Sequence, residues 1–205
     1  ASPLPAFLAI GVLPLGAKEV SGPASAASSR SRLSLRGLDP SFRRFLVAEG
    51  LFTLGNSSDS FVVLRASERG LSVAGILGML IAFNVVYACV AAPAGKVSDL
   101  FGRKRVIAAG WLFYALLYFG FALAREASHV VGLFIAYGLY YGLVGGVGRA
   151  FVADLVRDRG SLGSAYGLYH AVLGAAALPA SLAAGILWQS SGPSTPFYFG
   201  AGLAL

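Results

Sequence analysis

Two long apolar runs, residues 73–94 and 106–124, contain no charged side chain and are separated only by the basic segment 95–105. An α-helix needs about 20 apolar residues to cross a hydrocarbon core of about 30 Å, because it rises about 1.5 Å per residue. Each run therefore predicts one membrane-spanning helix. The segment between them, which we call the basic hinge, predicts a short loop at the headgroup level.

The composition favours the same interpretation. Hydrophobic residues make up 57% of the 205 residues and charged residues only 12%, with a mean hydropathy of +0.73. Average soluble domains contain about 25% charged residues, and a soluble fold could not bury this much apolar surface. The net charge of +7 could indicate a nucleic-acid-binding protein, but the basic residues cluster in turns rather than on one helix face. We therefore predict an all-α membrane protein, a helical bundle in the lipid bilayer, with no nucleic-acid partner.

The residues that could hold a metal or a disulfide are few. Cys89 is the one cysteine and lies inside an apolar run, and the chain has two histidines. A single cysteine excludes an internal disulfide and a CxxC metal site. We predict neither a metal nor a cofactor.

The hydropathy pattern divides the chain into three parts. Residues 1–15 end in an apolar stretch too short to span a membrane, which predicts the tail of a truncated preceding helix. Residues 16–44 are rich in Ser, Gly and Arg and predict a flexible linker. Residues 45–205 predict a transmembrane bundle of five complete spans and one partial span, at residues 45–64, 73–94, 106–124, 130–152, 162–187 and 197–205.

The distribution of lysine and arginine predicts the orientation of these spans. The linker, the basic hinge and the segment 149–159 together hold thirteen of these residues, whereas the opposite loops hold only Arg65, Arg69 and Arg125. Positively charged loops are retained in the cytoplasm. The linker and both basic segments are therefore predicted to be cytoplasmic.

The basic hinge carries a recognisable pattern. Its residues Gly95, Asp99, Gly102, Arg103 and Lys104 match the order G-x-x-x-D-x-x-G-[RK]-[RK], which resembles the signature of the major facilitator superfamily. A basic linker followed by six spans is similar to the central loop and C-terminal half of that family. The resemblance implies a missing N-terminal half and a location in the plasma membrane, in bacteria the inner membrane. It also implies a secondary active transporter of small molecules that works by alternating access, with proton-coupled efflux as one form.

The resemblance also directs attention to two positions where the chain departs from the pattern. Leu100 stands where the family usually places a basic residue. Val144 and Gly145 stand where relatives often carry a polar and an acidic residue. One membrane carboxylate used for proton coupling is therefore expected to be absent.

Asp99 suggests that the hinge has a function besides fixing the topology. A carboxylate here can cap a helix N-terminus or pair with a nearby arginine, and glycines allow helix ends to approach closely. The resemblance implies that such contacts gate the cytoplasmic face. The alternative is a well-capped turn that only fixes the topology.

Asp59 is the strongest candidate for the transport pathway. It lies about fourteen residues into the first predicted span, about 21 Å from its start, where a charge is costly unless it faces a cavity or a partner. Polar residues at helical spacing accompany it on one predicted face: Glu49, Thr53, Asn56 and Ser60. The alternative is a structural carboxylate bonded to Ser or Asn on a neighbouring helix. Glu49 is the weaker of the two acids, because near the interface it could simply face water.

Aromatic residues in two later spans could form the wall of a cavity for flat or cationic molecules. These are Tyr137, Tyr140, Tyr141, Tyr166, Tyr169 and His170. Tyrosine is also ordinary packing material, and His170 is either a proton relay or a hydrogen-bonded structural group.

Three classes of function remain from the sequence: a transporter, a non-transporting receptor or scaffold, and a membrane-embedded enzyme. No HExxH, GxSxG or paired-aspartate motif is present in the sequence, which argues against the enzyme. A scaffold has no need of the polar residues around Asp59. A small-molecule transporter is therefore preferred.

The predicted orientation can be tested with cysteine labelling. In a Cys89→Ala background, cysteine placed at Ser34 should react with a membrane-impermeant thiol reagent only from the cytoplasmic side. Cysteine placed at Ser191 should react only from outside. Labelling of both positions from the same side would contradict the topology.

Overall fold

The computed structural model describes residues 39–156 and 159–205, and in them every regular element is helical. The α-helices are α1 (Pro40–Gly55), α2 (Ser60–Glu68), α3 (Val73–Phe101), α4 (Arg103–Leu123), α5 (Ala127–Leu155), α6 (Leu162–Ser191) and α7 (Thr195–Ala204), with a 3₁₀ turn at Arg159–Ser161. The all-α prediction is confirmed. The predicted helix tail at residues 1–15 and nearly all of the predicted linker lie outside the described residues.

Four of these helices, α3 to α6, are long and apolar enough to cross a membrane. They correspond to the predicted spans at residues 73–94, 106–124, 130–152 and 162–187, and each extends beyond the apolar run at one or both ends. The helical membrane bundle is thus confirmed, and the chain is a multi-pass integral membrane protein.

Small residues allow the central helices to approach closely. An added Cβ at Gly138 would lie 2.7 Å from the carbonyl oxygen of Phe83, and one at Gly142 would lie 2.7 Å from Cβ of Val90. These glycines seat α5 directly on α3. Gly200 allows α7 to approach the end of α1 equally closely, since an added Cβ there would lie 2.5 Å from the carbonyl oxygen of Gly55. Close backbone approach of this kind is the usual basis of helix association in membranes.

The first predicted span is not one continuous helix, as the prediction for residues 45–64 required. Helix α1 ends at Gly55 and α2 begins at Ser60, with four non-helical residues between them. The sequence there is Asn56-Ser57-Ser58-Asp59, and short polar side chains of this type compete with the helical hydrogen-bond pattern. The hydroxyl of Ser58, for example, accepts from the backbone N–H of Ser60 at 3.3 Å. We call residues 56–59 the break.

The basic hinge also differs from the predicted loop. Helix α3 continues through most of it to Phe101, and α4 begins at Arg103. The whole change of direction takes place at Gly102, whose φ of +89° lies in the region that favours glycine. Gly95 lies within α3, where an added Cβ would meet no atom of the described residues within 4 Å.

Arg65 joins three elements at the end of the bundle opposite to the hinge. Its side chain is only 2% exposed and pairs with Glu68 at 2.9 Å. Its Nη2 donates to the carbonyl oxygens of Ala122 and Ala124 and to the hydroxyl of Ser194 at 2.9–3.4 Å. The guanidinium therefore satisfies carbonyl groups at the C-terminus of α4, where a positive charge is favoured. The sequence had suggested only a loop charge.

We predict that Arg65→Ala lowers the free energy of unfolding by about 2 kcal/mol, because charged hydrogen bonds to buried carbonyl groups are lost. SDS titration of the purified protein in mixed micelles would measure the change. Arg125→Ala is the matched control, since the Arg125 side chain is exposed. Equal stability of the two variants would show that Arg65 does not hold these elements together.

Candidate functional site

An open cleft of about 750 Å³ lies between α1, α5 and α6, next to the break. Most of its polar lining comes from α1 and the break: Glu49, Thr53, Asn56, Ser57, Ser58 and Asp59. The opposite walls carry Tyr140, Tyr141, Arg149, Tyr169 and His170. The cleft therefore contains two carboxylates, a guanidinium, an imidazole and several aromatic rings within a membrane bundle.

The structure brings most of the predicted pathway residues together here. Glu49, Thr53, Asn56, Asp59, Tyr141 and His170 line the cleft. Tyr137 lies behind it, fully buried, and reaches Asp59 with its hydroxyl. Ser60 does not join the lining, because the helix restarts at that residue and its hydroxyl bonds to that of Ser58 at 3.0 Å.

Asp59 is held by tyrosine hydroxyls. Tyr137 donates to its Oδ1 at 3.2 Å, and Tyr141 lies 3.3 Å from its Oδ2. Hydroxyl donors to both oxygens stabilise a negative charge that would otherwise be costly at this depth. The alternative partners expected from the sequence, Ser or Asn on a neighbouring helix, are not the ones found in the described residues.

Two further tyrosines, which the sequence analysis did not single out, satisfy the backbone of the break. The hydroxyl of Tyr114 donates to the carbonyl oxygen of Gly55 at 3.2 Å, and that of Tyr118 to the carbonyl oxygen of Ser57 at 3.5 Å. Both rings are fully buried and stack on each other with centroids 4.1 Å apart. Their spacing of four residues in an apolar run was the available signal, since it places both on one helix face.

Glu49 is buried, whereas the sequence left open that it could simply face water near the interface. It is 8% exposed, and the hydroxyl of Tyr169 donates to its Oε1 at 3.2 Å. Its Oε2 is buried and finds no hydrogen-bond partner among the described residues. The backbone carbonyl of Glu49 accepts from the hydroxyl of Thr53 at 2.7 Å, which draws Thr53 back onto its own helix.

His170 and Arg149 lie at more exposed positions of the cleft. The imidazole of His170 packs edge-on against Tyr169, with ring centroids 5.2 Å apart. Tyr166 stands apart from the lining and donates to the backbone carbonyl of Arg149 at 3.0 Å. His170 is thus exposed at the cleft, with one face of its ring against Tyr169.

The hinge residues form a second group around Arg103. Its Nη2 lies 3.4 Å from Oδ1 of Asp99, and its Nε lies 3.1 Å from Oδ2 of Asp154. Asp154 lies near the end of α5 and was not among the predicted residues. Arg103 thus connects the ends of α3, α4 and α5, whereas Lys104 next to it is exposed.

No cluster of three potential metal ligands occurs in the part of the chain that the structure describes.

Comparison of the sequence with known protein families identifies one match. The family model described as Major Facilitator Superfamily matches residues 45–205 of this chain. The chain belongs to the Major Facilitator Superfamily.

Relatives with assigned names support this membership. An uncharacterised MFS-type transporter of Methanocaldococcus jannaschii is 34% identical over 180 residues, which cover 85% of this chain and 45% of that protein. A puromycin resistance protein of Streptomyces alboniger is 29% identical over 60% of this chain and 24% of its own length. A chloramphenicol resistance protein of Acinetobacter baumannii is 33% identical over 37% of this chain and 18% of its own length. The chain thus spans less than half the length of these relatives, and no solved structure matches it.

In this member of the Major Facilitator Superfamily, the hydrogen bonds from Tyr114 and Tyr118 to the backbone can be tested by measuring stability, without measuring binding in the cleft. Tyr114→Phe should lower the free energy of unfolding by about 1 kcal/mol, because the carbonyl group of Gly55 loses a donor. SDS titration in mixed micelles would measure it. Tyr140→Phe is the matched control, since Tyr140 is also buried but donates no hydrogen bond to the break. An equal loss in both variants would mean that the break does not depend on this hydroxyl.

Proposed function

We propose that this chain forms one half of a secondary active transporter that moves small molecules across a membrane by alternating access. The observation that carries the proposal is Asp59, a carboxylate placed at a helix break and open to a cleft of about 750 Å³ between membrane helices. Intramembrane carboxylates are costly and mark pathways for substrates or ions. Family membership supports the same conclusion.

The second half of the site belongs to another bundle in this proposal. In transporters built from repeats, the substrate binds near the midplane between two bundles that rock against each other. The cleft is open on one side, and the matched segment covers 45% of the archaeal relative. We place an N-terminal bundle before a cytoplasmic linker at residues 16–44, and residues 45–205 in the second bundle, within a plasma membrane.

The cleft suits a flat molecule that carries a positive charge. Asp59 supplies a fixed negative charge, and the rings of Tyr140, Tyr141 and Tyr169 line the same space. Aromatic faces attract cations, and the attraction increases when both groups leave water. Asn56 adds an amide that can orient a polar group of the substrate.

Export is the proposed direction, with protons as the driving ion. Two relatives are named for resistance to puromycin and to chloramphenicol. Resistance by a membrane protein of this family is most simply achieved by removing the compound from the cell. The inward proton gradient across a bacterial inner membrane supplies the energy.

The hinge residues form the proposed gate. The two ion pairs of Arg103 are partly exposed, with Asp99 at 66% and Asp154 at 51%. Exposed ion pairs contribute at most about 1 kcal/mol each, so they can break and form again during each transport cycle. A cluster that links three helix ends can thus stabilise one access state without trapping it.

Asp59→Asn tests the proposed function in the complete transporter. It should abolish most transport of a cationic dye such as ethidium in proteoliposomes while leaving the amount of folded protein close to that of the parent. Asparagine keeps the size, and its amide oxygen in the place of Oδ1 can still accept from Tyr137 and Tyr141, but the charge is removed. Glu126→Gln, which removes an exposed carboxylate, is the matched control and should transport normally. Unchanged activity per folded Asp59→Asn molecule would make Asp59 structural.

A further inference from the structure

We propose that the cleft binds an elongated, flat molecule with a cationic group at each end, one end held by Asp59 and the other by Glu49. The proposal rests on the proposed transport function and names the class of substrate. This class is aromatic dications whose end groups carry N–H donors, such as aryl diamidines. Two separated carboxylates in one cleft distinguish such a site from one for a single cation.

Glu49 offers an acceptor that the described part of the protein leaves unused. Its side chain lines the cleft although it is only 8% exposed. Oε1 accepts from the hydroxyl of Tyr169 at 3.2 Å, whereas Oε2 is buried and has no hydrogen-bond partner in the described residues. A buried carboxylate oxygen without a donor costs free energy, and an N–H group of a ligand removes that cost. Glu49 is therefore a position where a donor brought by the substrate strengthens binding.

Three other polar side chains of the cleft do not supply that donor. The hydroxyl of Thr53 donates to the backbone carbonyl oxygen of Glu49 at 2.7 Å instead. Arg149 and His170 line the cleft at exposed positions, and neither donates to Oε2. An exposed guanidinium is solvated by water, so pairing with a buried carboxylate would require it to lose that solvation. The carboxylate of Glu49 is thus left for a ligand.

Asp59 places a second carboxylate further along the cleft. Glu49 lies six residues before the last residue of α1, which corresponds to about 9 Å of helix rise. Asp59 follows four residues later, at the end of the break. A compact cation therefore contacts one carboxylate at a time and leaves the other charge uncompensated within a membrane bundle. An elongated dication contacts both.

Aromatic rings lie between these two contacts. Phe52 is three residues after Glu49 on α1, and Tyr141 bonds to Asp59. The ring of Tyr140 lies next to both, with its centroid 6.2 Å from that of Phe52 and 5.5 Å from that of Tyr141. Aromatic faces pack against flat rings and attract cations. The cleft volume of about 750 Å³ is typical of sites for drug-sized molecules, so a flat body between two charged ends fits it.

Ligand binding to the purified complete transporter in detergent micelles tests the assignment. The probes are diamidinophenylindole, a flat fluorescent molecule with an amidinium group at each end, and the same phenylindole with one amidinium group. The parent should bind the diamidine at least about tenfold more tightly, because its second amidinium donates to a carboxylate. Glu49→Gln should remove this preference and keep the affinity for the monoamidine within about twofold, since Asp59 is the more accessible carboxylate. Asp59→Asn should lower the affinity for both probes.

Glu126→Gln removes an exposed carboxylate outside the cleft and is the matched control, which should bind both probes as the parent does. If circular dichroism shows that Glu49→Gln is not folded, Glu49→Asp takes its place. It keeps the charge but withdraws the carboxylate by one methylene, and it should reduce the preference for the diamidine. The assignment is overturned by a parent without this preference, or by a folded Glu49 variant that keeps it or binds both probes equally less tightly.

Transport in proteoliposomes separates this inference from the proposed function. If the parent exports ethidium but shows no preference for the diamidine, the inference fails and the proposed function stands. If the parent transports neither ethidium nor the diamidine, the proposed function fails. The binding comparison then still decides whether Glu49 and Asp59 hold the two ends of one ligand. Transport of both compounds by the parent, with only diamidine transport reduced in Glu49→Gln, supports the inference and the proposed function together.

Discussion

An interrupted membrane helix must have the backbone groups at its interruption satisfied by other parts of the protein, because the lipid supplies no hydrogen bonds. This constraint governs the break at residues 56–59. Tyr114 and Tyr118 donate to the carbonyl oxygens of Gly55 and Ser57, and Tyr137 and Tyr141 hold the carboxylate of Asp59, the last residue of the break. Four hydroxyls from α4 and α5 thus make the break stable at a depth where an unsupported one would refold into a helix.

The same arrangement forms the cleft. Because the chain leaves the helical path at Asn56, Asp59 moves out of the polar stripe that a continuous helix would give and reaches the tyrosines of α5. Stacked rings fix those hydroxyls, with Tyr137 and Tyr140 at 5.6 Å between centroids. Stability of the break and position of the charge are therefore coupled, and substitutions in this aromatic group should not act additively.

Hydropathy was enough to predict α3 to α6, since it depends on local composition. Asp59 was predicted to belong to the transport pathway because a charge inside a membrane span is costly, and this role remains a prediction. The break escaped prediction because Asn56 and Ser60 continue the spacing of Glu49 and Thr53, which fits one face of a continuous helix. Its hydroxyl donors lie about 60 to 80 residues away in sequence, and the partner of Glu49 lies 120 residues away. Contacts between residues so far apart in the chain leave no pattern in the local sequence.

The two parts of the first span are held by different neighbours. Helix α1 packs on α6 and carries Glu49, whereas α2 is fixed through Arg65 to the end of α4 and to Ser194. Asp59 lies at the junction between them, as the last residue of the break. The tyrosine hydroxyls that bond to Gly55, Ser57 and Asp59 therefore set the position of Asp59 relative to Glu49.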